Sequence, residues 1–466
     1  MGAIGLLLIS LIVVLWASVR PGYDPYGWLV WGHLTIHLKL DTNGAPSWKP
    51  LTFLFTVPYN LVGHYAMWLW MVTAVAISLS GVVFAWRIAF KLTGAPPERR
   101  YAAYAGGLFA ALFLLGIRDY AHFALSAQSD TMILSLCLAA IDCHLSGRPR
   151  WAFWIWVLAA LGRPEAWPFL GVYALWLWRA HPRYRGTIAA GLVLIPLLWF
   201  GIPALTSKSP FTAANIAEGS PRALHSNKIY GEIDRFFDLH ETPVWIAALL
   251  ATLLALFRRE RFTVVLAAGA LAWVVVEIAF VLHGWPGVPR YLFEPVGVVA
   301  VLAGVFAGRV ILDLPPVIGS LGSRLSLGGR LAGQLGAWGA VVVLMALAGS
   351  MLPATRSRYE IERQDLAHER ARATELGRLS AVVNKIGVGR IWACGQPNIQ
   401  IGYQSVLAWY MGVDIGKLYV SKRHQKLHPA PLINMYPITD GWKVFPSHLR
   451  AGSPAYCSRL RLIYRS

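Results

Sequence analysis

The chain has 466 residues, of which 56% are hydrophobic and 14% are charged. Soluble proteins of this size carry about a quarter charged residues, so most of this surface faces something other than water. The formal net charge of +19 does not indicate nucleic-acid binding, because the Arg and Lys residues cluster at the ends of apolar runs, as they do in the cytoplasmic loops of membrane proteins.

Apolar runs recur from residue 3 to residue 352, and most approach the length at which a helix crosses the hydrocarbon core. The first run has no Lys or Arg before it and no small-residue cleavage site after it, which predicts a retained helix and not a signal peptide. We therefore predict a polytopic α-helical membrane protein with about eleven embedded segments. These are residues 3–19, 66–86, 101–117, 130–146, the two halves of 151–178, 186–203, 243–257, 262–282, 291–308 and 334–352.

The run 151–178 is interrupted by Gly162-Arg163-Pro164-Glu165. Pro164 opposes a continuous helix, and basic clusters flank the run on both sides, so we predict two half-helices that fold back at a charged turn. With this hairpin, the positive-inside rule places the N-terminus and the basic clusters in the cytoplasm. Residues 314–333 are predicted to be a cytoplasmic linker.

A transmembrane domain is thus predicted for residues 1–352 and a small soluble α/β or α+β domain for residues 353–466, outside the cytoplasm. In the second part, Arg358 to Leu379 is typical of a charged helix. The stretches Gly389 to Ala393 and Arg459 to Tyr464 are typical of short strands.

The four cysteines include no CxxC pair, so there is no metal-ribbon pattern. Cys137 and Cys143 lie in an apolar run, where small buried hydrophobic residues are expected. Cys394 and Cys457 both belong to the soluble part, and we expect a disulfide between them if that part lies outside the cytoplasm.

The first external loop, residues 20–65, contains Asp24 between Tyr23 and Tyr26, with prolines close by. An acid held stiffly at the membrane boundary is a candidate general base. Its alternative role is to cap a helix through Trp28.

Lys49 lies in the same loop, after Trp48 and between Pro46 and Pro50. A cation near the outer bilayer surface can hold a phosphate. The alternative is an interface lysine whose stem covers apolar surface.

Arg163 and Glu165 are ionisable residues within an apolar run, and such residues usually mark a site. They are equally compatible with an ion pair that fixes the hairpin. Arg290-Tyr291, at the start of the tenth segment, is a second candidate for binding an anion, or an interface Arg–Tyr pair. Glu277 in the ninth segment is expected to be buried and paired.

His122 and Asp130 belong to the second external loop, residues 118–129, and to its end. Asp130 starts the fourth segment after Ser129, a pair typical of a helix cap. We therefore favour a structural role for Asp130.

Taken together, the chain resembles the GT-C superfamily of glycosyltransferases, and within it the actinobacterial membrane proteins related to polyprenyl-phosphate-mannose-dependent and arabinose-dependent transferases. The resemblance covers about residues 1–352. It rests on the short first helix, on the long first external loop with an acid near its start, and on the motifs Leu161-Gly-Arg-Pro-Glu-Ala-Trp and Pro289-Arg-Tyr-Leu.

By this resemblance, Asp24 matches the catalytic acid of enzymes that use a polyprenyl-phosphate sugar donor and usually invert the anomeric carbon. Many superfamily members carry two adjacent acids, or an acid with a His-Pro-Pro-Leu-like segment. Here Pro25 follows the acid and Lys49-Pro-Leu replaces that segment.

The resemblance implies an extracytoplasmic reaction at the plasma membrane with a cell-envelope glycan or glycolipid acceptor. No metal is required, because the donor has one phosphate and cationic side chains can neutralise it. The donor phosphate is expected at Lys49, Arg163 and Arg290, and the supporting residues are Tyr23, Tyr26, Trp48, His122, Glu165 and Tyr291.

Two other functions remain compatible with the sequence, a transporter of a lipid-linked envelope intermediate and a non-catalytic assembly scaffold. A transporter is disfavoured because no internal repeat is visible and the candidate polar groups gather on one side.

Overall fold

The computed structural model describes residues 2–44, 48–218, 220, 222–224, 226–324, 329–420, 430–449 and 452–465. Pro46 lies outside the described residues. Most of the described chain is helical. The first ten α-helices are α1 Gly2–Ala17, α2 Tyr23–Ile36, α3 Pro50–Tyr59, α4 Ala66–Thr93, α5 Arg100–Leu115, α6 Tyr120–Leu125, α7 Ser129–Leu145, α8 Pro149–Gly162, α9 Trp167–Ala180 and α10 Arg185–Pro196.

The remaining helices extend to the C-terminus, and five strands follow the long helix α17. These helices are α11 Ile202–Thr206, α12 Thr212–Glu218, α13 Lys228–Asp238, α14 Thr242–Arg258, α15 Arg261–Leu282, α16 Phe293–Arg324, α17 Gly329–Ile386, α18 Val388–Cys394, α19 Gln404–Met411 and α20 Ala455–Ser458. The strands are β1 Gln396–Ile399, β2 Tyr419–Val420, β3 Leu432–Ile438, β4 Gly441–Pro446 and β5 Leu462–Arg465.

Among the described residues, five helical segments are long and apolar enough to cross a membrane, or six if α13 and α14, which meet at a bend of 96°, form one span. The number of about eleven is not confirmed. The remaining predicted segments include α5, α7, α8 and α9, which have only 14 to 17 residues each, at or below the usual minimum for a crossing. The chain is a multi-pass membrane protein with several shorter helices packed among the spans.

Helix α16 lies at the centre of this bundle and packs against α4, α5, α14 and α17. Its contact with α5 is close because glycines lie between the two helices. A Cβ atom at Gly304 would lie 2.5 Å from both the Cβ atom of Ala110 and the carbonyl oxygen of Gly106. Small residues of this kind let helix backbones approach each other in membranes.

The predicted hairpin is confirmed. Helix α8 ends at Gly162, a short 3-10 turn covers Pro164–Ala166, and α9 begins at Trp167. Arg163 adopts an extended conformation at the break, as expected for a residue that precedes a proline. The turn places Arg163 and Glu165 at one end of the hairpin.

The predicted cytoplasmic linker, residues 314–333, is wrong for its described part. Helix α16 continues through Pro315 and Pro316 to Arg324, and α17 begins at Gly329. The two helices pack closely, since a Cβ atom at Gly336 would lie 2.5 Å from the Cα atom of Pro315. This tertiary packing outweighs the local preference of Pro and Gly for loops.

The charged helix predicted from Arg358 to Leu379 is present as part of α17, which has 58 residues. The domain boundary predicted after residue 352 therefore falls inside one continuous helix. Gly389 to Ala393, predicted as a strand, is helical in α18. Ile391 of this helix is fully buried. Packing of this one apolar side chain is compatible with a helix, and it outweighs the strand preference read from the alternating residues.

The C-terminal part forms a five-stranded sheet in the order β2-β1-β3-β4-β5, with parallel pairing of β1 to β2 and β3 and antiparallel pairing of β3, β4 and β5. The end of α17 packs against β4 and α19. Trp442 is buried there and donates its indole N–H to the carbonyl oxygen of Glu375 at 3.0 Å. A disulfide joins Cys394 to Cys457, with Cα atoms 5.4 Å apart.

Candidate active site

Asp24 lies in the first turn of α2. The residue that caps this helix is Gly22, so the alternative role of Asp24 as a side-chain cap is wrong. Its carboxylate is 26% exposed, and its Oδ2 atom lies 3.6 Å from Nη2 of Arg290. Asp24 is thus a partly accessible acid beside a cation.

Arg290 lies in the 3-10 turn Pro289–Leu292, which leads into α16. Its Nε atom is 3.7 Å from Oδ1 of Asp130, and its guanidinium group lies 5.6 Å from the ring centroid of Phe123. Because it also faces Asp24, Arg290 bridges an accessible acid and a buried one.

Asp130 was expected to cap α7, but Gln128 occupies the cap position and its side chain makes no capping hydrogen bond. Asp130 is 1% exposed and forms an ion pair with Arg163. A buried carboxylate is costly without a cation. The ion pair with Arg163 explains the burial of Asp130 better than a helix-capping role does. The sequence pattern favoured the capping role and did not predict the ion pair.

Arg163 is 2% exposed and has three acidic neighbours. Besides Asp130, its Nη1 atom lies 4.0 Å from Oε1 of Glu277 and its Nε atom 3.7 Å from Oε1 of Glu294. The ring centroid of Tyr291 is 4.4 Å from the guanidinium carbon. We call Arg163, Asp130, Glu277 and Glu294 the inner cluster.

Glu277 is buried as expected, and the structure supplies its partners. Oε1 of Glu277 accepts a hydrogen bond from the indole N–H of Trp273 at 3.2 Å and lies near Arg163. Glu165 is also buried, and its Oε2 atom has no hydrogen-bond partner among the described residues. The hairpin turn therefore carries a carboxyl group into the same buried region.

Lys49 immediately precedes α3 and is half-buried. Its ammonium group donates to the hydroxyl of Ser129 at 2.8 Å and lies 5.7 Å from the ring centroid of Trp28. Ser129 is the residue before Asp130, so Lys49 lies beside the same helix start. We call Asp24, Lys49 and Arg290 the outer cluster, because all three side chains remain partly exposed.

The supporting residues Tyr23 and Tyr26 connect α2 to the C-terminal part. The hydroxyl of Tyr23 donates to Oε1 of Gln404 at 3.2 Å, and the hydroxyl of Tyr26 lies 3.5 Å from that of Tyr410. Burial raises the pKa of both Tyr23 and Tyr26, so these phenols stay neutral near pH 7. The first turn of α2, which carries Asp24, is therefore held by α19.

Trp48 and His122 lie outside both clusters. Trp48 is buried and donates its indole N–H to the carbonyl oxygen of Leu198 at 3.0 Å. His122 pairs with Asp365 of α17 at 2.8 Å. In the described chain, His122, Asp365 and Glu369 place possible metal-ligand atoms within 4.8 Å of one another.

Neither a protein-family model nor a curated protein sequence matches this chain. Among the solved structures that match it in fold are two of one protein. One is ArnT from Cupriavidus metallidurans bound to undecaprenyl phosphate, which is 14% identical, with a TM-score of 0.52 over 91% of this chain and 86% of that chain. The other is the same protein in the apo state, 15% identical, with a TM-score of 0.50 over 93% of both chains.

These likenesses define the fold class: the chain is a multi-pass membrane protein with an ArnT-like fold and a small C-terminal sheet.

Sequence reasoning selected four of the charged residues in the two clusters, Asp24, Lys49, Arg163 and Arg290, and it missed the contribution of Glu294. A signal for Glu294 was present, because an acid that starts a long apolar run is as unusual as Arg163. Asp130 was singled out but assigned to the helix start, because its partner Arg163 is 33 residues away in the sequence.

Proposed function

We propose that this protein transfers a sugar from a polyprenyl-phosphate-linked donor to a cell-envelope glycan or glycolipid on the extracytoplasmic face, with inversion at the anomeric carbon. The main supporting observation is the outer cluster, in which the partly exposed acid Asp24 faces Arg290 at 3.6 Å and Lys49 binds the neighbouring start of α7 through Ser129. The fold adds support, because the ArnT structure with this fold is bound to undecaprenyl phosphate.

In this proposal, Lys49 and Arg290 bind the phosphate of the donor. Both are partly exposed, and an Arg guanidinium matches the geometry of phosphate oxygens. Arg163 was expected to share this role. Because it is 2% exposed and has three carboxyl neighbours, we assign to it the positioning of Asp130 and Tyr291.

Asp24 acts as the general base. The acceptor hydroxyl attacks the anomeric carbon from the face opposite the phosphate, and its proton passes to the Asp24 carboxylate. The bond between the anomeric carbon and the phosphate oxygen breaks, and polyprenyl phosphate leaves with the electron pair. Lys49 and Arg290 stabilise the charge that develops on that phosphate.

The contact between Asp24 and Arg290 suggests how donor binding could free the Asp24 carboxylate to act as the base. Without a donor, Arg290 faces the Asp24 carboxylate at 3.6 Å. A donor phosphate competes for Arg290, which weakens its hold on Asp24 and leaves that carboxylate available to the acceptor. The order of binding is then donor first and acceptor second.

The decisive experiment uses the full-length protein in lipid nanodiscs with a panel of labelled polyprenyl-phosphate sugars and an envelope-glycan acceptor. We expect Asp24→Asn to lower turnover by about 10²- to 10⁴-fold while donor binding is kept. Asp41→Asn is the matched control, because Asp41 lies in the same loop and accepts from the backbone N–H of Asn43 in a turn. Its turnover should stay close to that of the wild type.

Three outcomes would contradict the proposal at different levels. Wild-type turnover in Asp24→Asn excludes Asp24 as the base. Failure of the wild-type protein to bind any donor in the panel removes the assigned function. Movement of labelled donor across sealed vesicles without a new glycosidic product would indicate a transporter instead.

A further inference from the structure

A polar cavity lies at the far end of the α8–α9 hairpin from Arg163. It has a volume of about 570 Å³ and is lined by the α7–α8 connection, the start of α8, the end of α9 and the turn before α10. Helix α8 has 14 residues, so it separates this cavity from Arg163 by about 20 Å. We call it the basal cavity, and it is distinct from both clusters of the candidate active site.

Three arginines line the basal cavity, Arg148, Arg150 and Arg183, and all are exposed. Within the described residues, none of them takes part in an ion pair with a carboxylate. Several other basic residues at this end of the bundle are paired with acids: Arg87 and Lys91 with Asp142, Arg258 with Asp313, and Arg309 with Glu260. The cavity thus concentrates cations that the protein itself leaves uncompensated, which favours an anionic ligand.

Aromatic rings line the basal cavity beside these cations. Trp151 is 65% exposed and Trp176 is 41% exposed, and the guanidinium carbon of Arg183 lies 4.8 Å from the ring centroid of Tyr184. Exposed Trp and Tyr side chains are typical of the level of the lipid headgroups in a membrane.

An apolar surface continues from the cavity along α9. Val172 is 72% exposed and Leu175 is 52% exposed, on the same helix as Trp176. In a membrane protein, such a face contacts acyl chains. A lipid with its chains against α9 would therefore present its headgroup to the arginines.

We propose that the basal cavity binds the phosphate of an anionic lipid headgroup, with the acyl chains along α9. Arg148, Arg150 and Arg183 contact the phosphate oxygens through charge-assisted hydrogen bonds. Trp151 and Trp176 pack beside the glycerol region of the lipid. This site is independent of the proposed transfer reaction.

The test measures lipid binding to the full chain by native mass spectrometry, with phosphatidylglycerol and phosphatidylcholine as probes. We expect the wild-type protein to bind phosphatidylglycerol about tenfold more tightly than phosphatidylcholine, and we expect Arg148→Gln/Arg150→Gln/Arg183→Gln to lose that preference. Equal binding of the two lipids by the wild-type protein, or an unchanged preference in the triple variant, overturns the proposal.

A matched control removes the same charge outside the cavity, through Arg99→Gln/Arg100→Gln/Arg330→Gln. These arginines are exposed, and Arg99 contacts the carbonyl oxygen of Leu312 on α16 near the same end of the bundle. This control variant should keep the preference for phosphatidylglycerol. Loss of the preference here as well would mean that net charge and not the cavity selects the lipid.

Two further measurements keep the test decisive. If the triple variant aggregates, the single variant Arg183→Gln is measured instead, because Arg183 lies in a surface turn. This single variant should bind phosphatidylglycerol several-fold more weakly, and unchanged binding counts against the proposal.

Soluble glycerol phosphate is added as a competitor. Its failure to displace the lipid supports a headgroup site, whereas full displacement at a concentration equal to that of the lipid assigns the cavity to a soluble phosphate and overturns the lipid assignment.

Discussion

Replacement of Arg163 by Gln provides the strongest test of how the two clusters divide their roles. Arg163 is 2% exposed and has three carboxyl neighbours, among them Asp130 and Glu294. Removing one partner of a buried ion pair costs about 3–5 kcal/mol, because the other charge stays buried without compensation. We expect Arg163→Gln to lower the free energy of unfolding by about that amount.

Arg290→Gln is the matched comparison, because it removes the same type of charge from the outer cluster. Arg290 is 17% exposed, and its two carboxylate contacts are 3.6 and 3.7 Å long. Water can solvate Asp24, and the buried Asp130 keeps Arg163 as its partner, so the loss should be nearer 1 kcal/mol. The variant should instead weaken donor binding, which Arg163→Gln affects only through the fold.

Thermal stability is measured as the fraction of full-length protein that stays monodisperse by size-exclusion chromatography after heating. A second change, Glu294→Gln, should restore part of the stability of Arg163→Gln, because it removes one of the acids left without a cation. The reasoning is refuted if Arg163→Gln melts at the wild-type temperature, or if Arg290→Gln is the more destabilised of the two.

Three further predictions concern stability. Burial lowers the pKa of His240 from 6.5 to about 4. As the pH falls, the unfolded chain therefore binds the proton before the folded one, and the free energy of unfolding decreases by up to about 3 kcal/mol from pH 6.5 to pH 4. His240→Gln should flatten this dependence, measured as the melting temperature against pH. Cys394→Ser/Cys457→Ser opens a loop of 63 residues and should destabilise the C-terminal part by about 4 kcal/mol, seen as faster proteolysis there, and proteolysis at the wild-type rate would contradict it. Gly304→Val should lower the melting temperature by separating α5 from α16, at a cost of about 1–3 kcal/mol, whereas Gly319→Val, with open space around the new atom, should not.

The hairpin was predictable because its signal is local. Pro164 and two charged residues interrupt an apolar run, and both the backbone and the bilayer restrict what such a break can be. The proximity of Arg163 to Arg290 followed from the same reasoning, since each lies where an apolar segment begins or ends. The structure places both arginines against Asp130.

The inner cluster was less predictable because its ion pairs join distant parts of the chain. Asp130 has a local signal for a helix start, and only the packing of α7 against α8 brings it to Arg163. The continuity of α16 and α17 was missed for a similar reason. Pro315 and Pro316 suggest a loop in any short window, but contacts between the two helices stabilise the helical backbone there.

The charges of the outer cluster fit the proposed reaction at each stage. With Asp24 ionised, the cluster of Asp24, Lys49 and Arg290 carries one net positive charge, which matches the single negative charge of a donor phosphodiester. In the proposed transfer, Asp24 takes a proton and becomes neutral, so the cluster gains positive charge. The leaving polyprenyl phosphate gains negative charge at the same time, toward the value of about −1.5 to −2 of a phosphate monoester. Arg163 is already neutralised by its own buried acids, so the change in charge is confined to the partly exposed residues of the outer cluster. There the added positive charge stabilises the transition state more than it stabilises the bound donor.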